Sequence, residues 1–97
     1  MKVEQLINDR GNGAVNQFVI STDNTLTFQS YDSTIAVVDY YAKVIAIYPN
    51  WDYSKTTGKH RNIFFRDYAH ISELATKKGI EKALAERKCG EWIVLTA

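Results

Sequence analysis

Ninety-seven residues supply enough chain for one hydrophobic core and too little for two. An apolar share of 45%, with six tyrosines, four phenylalanines and two tryptophans, excludes a disordered chain. The net charge of +1 fits neither a protein that coats nucleic acid nor an acidic mimic of one. The charge is nevertheless uneven. Residues 1–50 hold three basic and five acidic groups, and residues 51–97 hold nine basic and six acidic groups. The second half therefore offers a weakly basic surface.

Cys89 is the one cysteine and has no internal partner for a disulfide, which favours a reducing compartment. The first ten residues lack an apolar run with a small-residue cleavage site. No stretch reaches the roughly 20 apolar residues that span a bilayer. The expectation is a cytoplasmic protein with no membrane partner.

In chain order, residues 2–8 are compatible with a short helix or a leading strand, because periodicity cannot decide over so few positions. Residues 9–16 form a loop, with Gly11 and Gly13 each beside an asparagine. Residues 15–21 and Thr25–Ser30 alternate as two strands around Thr22, Asp23 and Asn24. Matching apolar side chains across a three-residue loop places Ile20 opposite Leu26 and Phe18 opposite Phe28. A two-residue loop places Phe18 opposite Gln29 and Ile20 opposite Thr27. The apolar match favours the three-residue loop. Tyr31, Asp32 and Ser33 make the next turn. Residues 34–38 and 43–48 are β-branched and short, and Pro49 ends the second of them.

The second half changes character. Ser54, Thr56 or Thr57 can cap a helix running to Tyr68, with Ile63, Phe64 and Phe65 on its apolar side. Residues 72–88 are helical in composition, but their apolar phase shifts at Gly79, which predicts a bend there, and Gly90 sits at the C-cap. Residues 91–96 return to the sheet. The expected fold is α+β in a single domain, residues 1–97. It has a four- or five-stranded, mostly antiparallel sheet, built from the N-terminal meander plus the C-terminal strand, with two or three helices packed on one face.

Functional groups concentrate at Trp51, Asp52, Tyr53, Lys55, Thr56, Thr57, Lys59, His60 and Arg61. If Ser54 to Thr57 open a helix, free backbone N–H groups there attract an anion, and Lys55, Lys59 and Arg61 add positive charge. A purely structural reading stands beside this one: Asp52 and Ser54 cap, while Trp51 and Tyr53 wedge helix against sheet. The segment is not a phosphate-binding loop. Gly58-Lys59 is present, but Tyr53 occupies the position of the required upstream glycine. His60, His70 and Cys89 are the only soft ligands and lack metal-site spacing, so neither a metal nor a cofactor is expected. Tyr31, Tyr40, Tyr41, Tyr48, Trp51 and Tyr53 suggest a stacking platform, yet they lie mostly in the acidic half, which weakens that reading for nucleic acid.

Three stretches carry a resemblance. They are Asn16-Gln17-Phe18-Val19-Ile20, Phe28-Gln29-Ser30-Tyr31-Asp32-Ser33-Thr34-Ile35-Ala36 and Trp51-Asp52-Tyr53-Ser54-Lys55-Thr56-Thr57-Gly58-Lys59. With a closing Gly90-Glu91-Trp92-Ile93, they resemble a family of small phage and prophage proteins of unknown function with NQF-I, FQSY-S-IA and WDYS-TT-K patterns, over roughly residues 11–97. The chain departs from that pattern at Asp39-Tyr40-Tyr41-Ala42, where the family has a polar, glycine-containing turn. The resemblance implies a phage accessory protein in a bacterial cytoplasm, of the kind that disables a host system such as a CRISPR effector, and it transfers no catalytic residue.

The leading expectation is thus a non-enzymatic protein that binds a host or phage protein through the 51–61 segment or an exposed sheet edge. A second is a nucleic-acid-binding accessory protein using Lys55, Lys59, Arg61, Arg66, Lys77 and Lys78. An enzyme requires a cleft where His60 or His70 meets Cys89 or a carboxylate. A homodimer through the terminal strand is also compatible with the sequence.

Overall fold

Alternating apolar side chains carry the first half through five successive strands, β1 (Lys2–Ile7), β2 (Gly13–Ser21), β3 (Thr25–Ser30), β4 (Ser33–Asp39) and β5 (Val44–Ile47). In the computed structural model, which describes Met1–Ala97, each pairs antiparallel with its predecessor. After the helical segment come β6 (Lys88–Cys89) and β7 (Trp92–Thr96). β7 lies parallel to β5, and β6 pairs antiparallel outside it. The result is a seven-stranded mixed sheet of order β1-β2-β3-β4-β5-β7-β6.

The α+β class holds, while the strand number and the mostly antiparallel arrangement are corrected. Residues 2–7 are a strand whose single buried side chain, Leu6, left too little pattern to read. β6 is only two residues long. The parallel pair arises because a long helical connection carries the chain back before β7 enters the sheet, a geometry a tight hairpin cannot make.

The β2–β3 register is also corrected. Phe18 lies opposite Gln29 and Ile20 opposite Thr27, so Val19 meets Phe28. Turn chemistry decides this. The Thr22 hydroxyl oxygen accepts the N–H groups of Asn24 and Thr25, and the two threonine hydroxyls sit 2.6 Å apart, closing the loop on Asp23 and Asn24. Val19 and Phe28 then face the core, and Phe18 and Ile20 take the other face, where both are half-buried. A bulge between Phe28 and Gln29 lets consecutive Ile35 and Ala36 both be buried.

Pro49 opens a 3-10 turn (Pro49–Asp52), and Ser54 then caps α1 (Lys55–Ile63), its hydroxyl oxygen accepting the Thr57 N–H at 3.1 Å. The helix continues into a π turn (Phe64–Tyr68). Ile63, Phe64 and Phe65 are all buried there, and the Phe64 ring stacks on Phe28 of β3 with centroids 5.6 Å apart. A second 3-10 turn (Ser72–Leu74) precedes α2 (Lys77–Glu86), which Thr76 caps by accepting the Gly79 N–H.

The expected bend at Gly79 is therefore displaced: the break falls at Ala75 and Thr76, and Gly79 sits inside the first turn of α2. Glycine is needed there because a Cβ would collide with the Glu73 carbonyl oxygen. Nor does Gly90 cap α2. Arg87 takes the left-handed position at φ 59°, while Gly90 serves the short turn between β6 and β7.

The helical layer covers one face of the sheet. The core runs from Val19, Phe28, Ala36, Val38, Ile45, Ile47 and Val94 to Phe64, Leu74, Ile80 and Ala83. On the opposite face the cross-strand pairs line up Val3, Ile20, Thr27, Val37, Ala46 and Leu95 in one row.

Candidate functional site

The 51–61 segment is first of all a joint between helix and sheet. Arg61, in the second turn of α1, is only 2% exposed and reaches back beneath its own N-terminus. It donates to the Trp51 carbonyl oxygen at 2.7 Å and to the Asn62 side-chain oxygen at 2.9 Å, and its guanidinium lies over the Trp51 ring. Asp52 stands 3.7 Å from Arg61 and 2.8 Å from Lys77, linking α1 to the start of α2. Burial pulls the Arg61 guanidinium down from its ordinary value, with Asp52 opposing. The hydrogen bond from Lys77, helped by the charges of Lys77 and Arg61, holds the Asp52 carboxyl below its ordinary 3.8.

That shift has a sign for stability. Asp52 binds a proton more weakly folded than unfolded, so its contribution is complete above the unfolded value and is lost as pH falls through the folded one. Acid unfolding of the wild type is expected to steepen below pH 3.8 relative to Asp52→Asn, which starts less stable near neutrality and loses less on acidification. Urea titrations at neutral pH and at about pH 3 check this.

Above the joint, the β3–β4 turn and the start of α1 border an open cavity of about 510 Å³. Its lining is Ser30, Tyr31, Asp32, Ser33 and Ile35 on the sheet side, and Asn50, Tyr53, Ser54, Thr56 and Thr57 on the helix side. The floor is locked by hydrogen bonds. Ser30 and Thr57 hydroxyls lie 3.1 Å apart and the Ser54 hydroxyl donates to that of Thr57, while at the exposed edge the Asn50 amide donates to Ser33. The rim is different: Tyr31 and Tyr53 are 54% and 77% exposed, and Asp32 and Thr56 are exposed beside them.

Hydrogen bonds hold Tyr31 in a strained backbone conformation. Its φ of 54° is left-handed, unusual for so bulky a residue. Its N–H donates to the Asn16 carbonyl oxygen at 2.7 Å, and its own carbonyl accepts from the Gln29 amide at 2.8 Å. Two of the three stretches singled out in the sequence, 28–36 and 51–59, thus line this cavity, and Asn16 of the other holds the Tyr31 backbone.

Of the candidate residues, Tyr53, Thr56 and Thr57 line the cavity. Trp51, Asp52, His60 and Arg61 belong to the joint beneath it, His60 being buried with its Nδ1 at 2.8 Å from the Thr56 carbonyl. Lys55 and Lys59 are exposed on α1 and are not lining residues. The sequence reading missed the opposite wall, Ser30, Tyr31, Asp32 and Ser33, whose signal was the polar turn inside the Phe28–Ala36 motif. With Asp32 as the one charged lining group, the cavity is not an anion site, whatever the helix N-terminus contributes.

One hollow has the composition set out for an enzyme, bringing His70 near Cys89 and a carboxylate. His70, Glu73 and Cys89 share this second, smaller hollow of about 230 Å³. Burial and the charges of Glu73 and Glu86 push the Cys89 thiol up, against what a nucleophile needs. No group of three histidine, cysteine, aspartate or glutamate side chains is placed to hold a metal. Tyr40 packs edge-on against Trp92, and Tyr41 lies at the far end of β4 from Tyr31, so the aromatics form no single platform. In the basic set, Arg61 is buried, Arg66 pairs with Asp9 and Asp67, and Lys77 pairs with Asp52, which leaves Lys55, Lys59 and Lys78 without an ion pair. No helix is long and apolar enough to cross a membrane.

No curated protein and no solved structure matches this chain. A family model does match, over residues 1–82, a span that holds β1 to β5, both walls of the cavity and the joint beneath it but stops short of β6 and β7. The chain belongs to that family, DUF8033, a family of unknown function.

Proposed function

We propose that this chain is a non-enzymatic binding protein that holds a protein partner at the cavity between Tyr31 and Tyr53. The observation that carries the reading is the contrast between a floor whose hydroxyls bond one another and a rim whose two tyrosines, Thr56 and Asp32 are exposed. A rigid floor spares a ligand the entropy of ordering it, and tyrosine combines a large apolar ring with a hydroxyl at small conformational cost. The hydroxyl-rich lining suits the alternating donors and acceptors of an extended peptide segment, and Asp32 favours a lysine or arginine within that segment. The ion pairs of Arg66 and Lys77 and the burial of Arg61 count against the nucleic-acid alternative, since three of its six cations are already engaged.

The finer reading is a phage-encoded accessory protein acting in a bacterial cytoplasm on a host protein, as an inhibitor of a defence component such as a CRISPR effector. Its support is the resemblance of the three motifs, two of which line the cavity. The test is quantitative capture from bacterial lysate. Tyr53→Ala is expected to weaken retention of a specific partner about 10-fold or more, as truncation of an exposed aromatic anchor does. Lys82→Ala, on the far helix, leaves retention unchanged, and retention falls only modestly with salt. Equal retention by folded Tyr53→Ala, or retention of nucleic acid with a steep salt dependence, overturns the reading.

A further inference from the structure

The row of side chains on the helix-free face of the sheet is hard to reconcile with permanent contact with water. An antiparallel sheet open on one side ordinarily presents polar residues there. Here Val3, Ile20, Val37, Ala46 and Leu95 run across β1, β2, β4, β5 and β7, interrupted only by Thr27, with Phe18, Val44 and Ile93 flanking the row. Val3, Ile93 and Leu95 remain 56%, 52% and 47% exposed.

We propose that this face is a homodimer interface, closed by a second copy of the chain packed sheet against sheet. Two properties select a second copy as the occupant. The first is charge. The central row holds no ionisable residue; the row flanking it holds Asp39, turned to the N–H groups of Tyr41 and Ala42 at 3.0 and 2.9 Å, and Lys88, opposite Ile93 at the β6 edge. Two such faces bring their uncharged central rows together without like-charge repulsion, whereas an acidic or basic partner finds only Lys88 and the already engaged Asp39, both in one flanking row. The second is size. Six strands at ~4.8 Å spacing and three side-chain rows at ~7 Å cover about 600 Å² per copy, so a pair buries about 1,200 Å², the lower limit for a specific stable interface. The two sheets then stack about 10 Å apart with the helices outermost, and both Tyr31–Tyr53 cavities stay outside the interface.

Sedimentation equilibrium of the intact chain tests this. At about 100 μM, within reach of an interface of that size, the wild type is expected at twice 11.1 kDa. Thr27→Glu, at the middle of the row, and Leu95→Glu, near its end, are each expected to halve that mass while keeping the wild-type far-UV circular dichroism. A wild type that sediments at 11.1 kDa overturns the proposal. So does a dimer that survives both folded variants, because its interface then lies elsewhere. Should one variant fail to fold, the other decides, since a wild-type dimer that the folded variant leaves intact overturns the proposal.

Discussion

Arg61→Ala is expected to lower the free energy of unfolding by about 2–4 kcal/mol, although in sequence Arg61 reads as one more surface cation. The side chain is buried, and removing it leaves the Trp51 carbonyl and the Asn62 amide oxygen without their donor. It also leaves a void under the first turn of α1 and takes a positive charge from beside Asp52. Part of the loss is returned, because the Nε of Arg61 has no hydrogen-bond partner and its burial is itself unfavourable. For a domain of this size each kcal/mol moves Tm by about 4–8 °C, so a fall of roughly 8–32 °C follows. Arg61→Lys does not restore stability, since one ammonium cannot serve acceptors that the planar fork reaches together. Thermal and urea unfolding of the three proteins measure this. A loss below about 1 kcal/mol for Arg61→Ala contradicts the assignment of Arg61 to the joint.

Tyr31→Gly separates binding from stability. The substitution removes an exposed aromatic from the cavity rim and is expected to weaken partner binding about 10- to 30-fold. Stability is expected to stay within about 0.5 kcal/mol. Relief of the left-handed backbone at φ 54° and the greater freedom of glycine in the unfolded chain act in opposite directions and are of similar size. If Tyr31 served only to pack the turn, the variant would lose stability and keep its affinity. Unfolding curves and titration of the captured partner, run on the same preparation, tell the two apart.

Local chemistry made much of this fold readable. The strand at Thr25–Ser30, the Ser54 cap and the buried run Ile63, Phe64 and Phe65 follow directly from β-branching, a capping hydroxyl and apolar clustering. The register of β2 on β3 did not. Apolar matching assumes one greasy face, and here both faces are greasy, so the Thr22–Thr25 hydrogen bonds settle it instead. β6 was illegible because two residues carry no period. The site was half legible. The density of functional groups at 51–61 marked the right place, but density alone does not separate Arg61 and Asp52, which hold the joint together, from Tyr53 and Thr56, which face outward. The opposite wall depends on a pairing between residues more than twenty positions apart, Ser30 with Thr57, which no local pattern announces.

Site-specific photo-crosslinking puts the binding surface to the most direct test. A photoreactive phenylalanine analogue placed at Tyr53, at Lys82 on α2, or at Leu95 on the open sheet face is irradiated in bacterial lysate. The cavity account predicts a discrete adduct with a second protein from position 53 and none from position 82, while position 95 yields only adducts of the chain with itself. An adduct with another protein that forms from position 82 or 95 and not from 53 contradicts it.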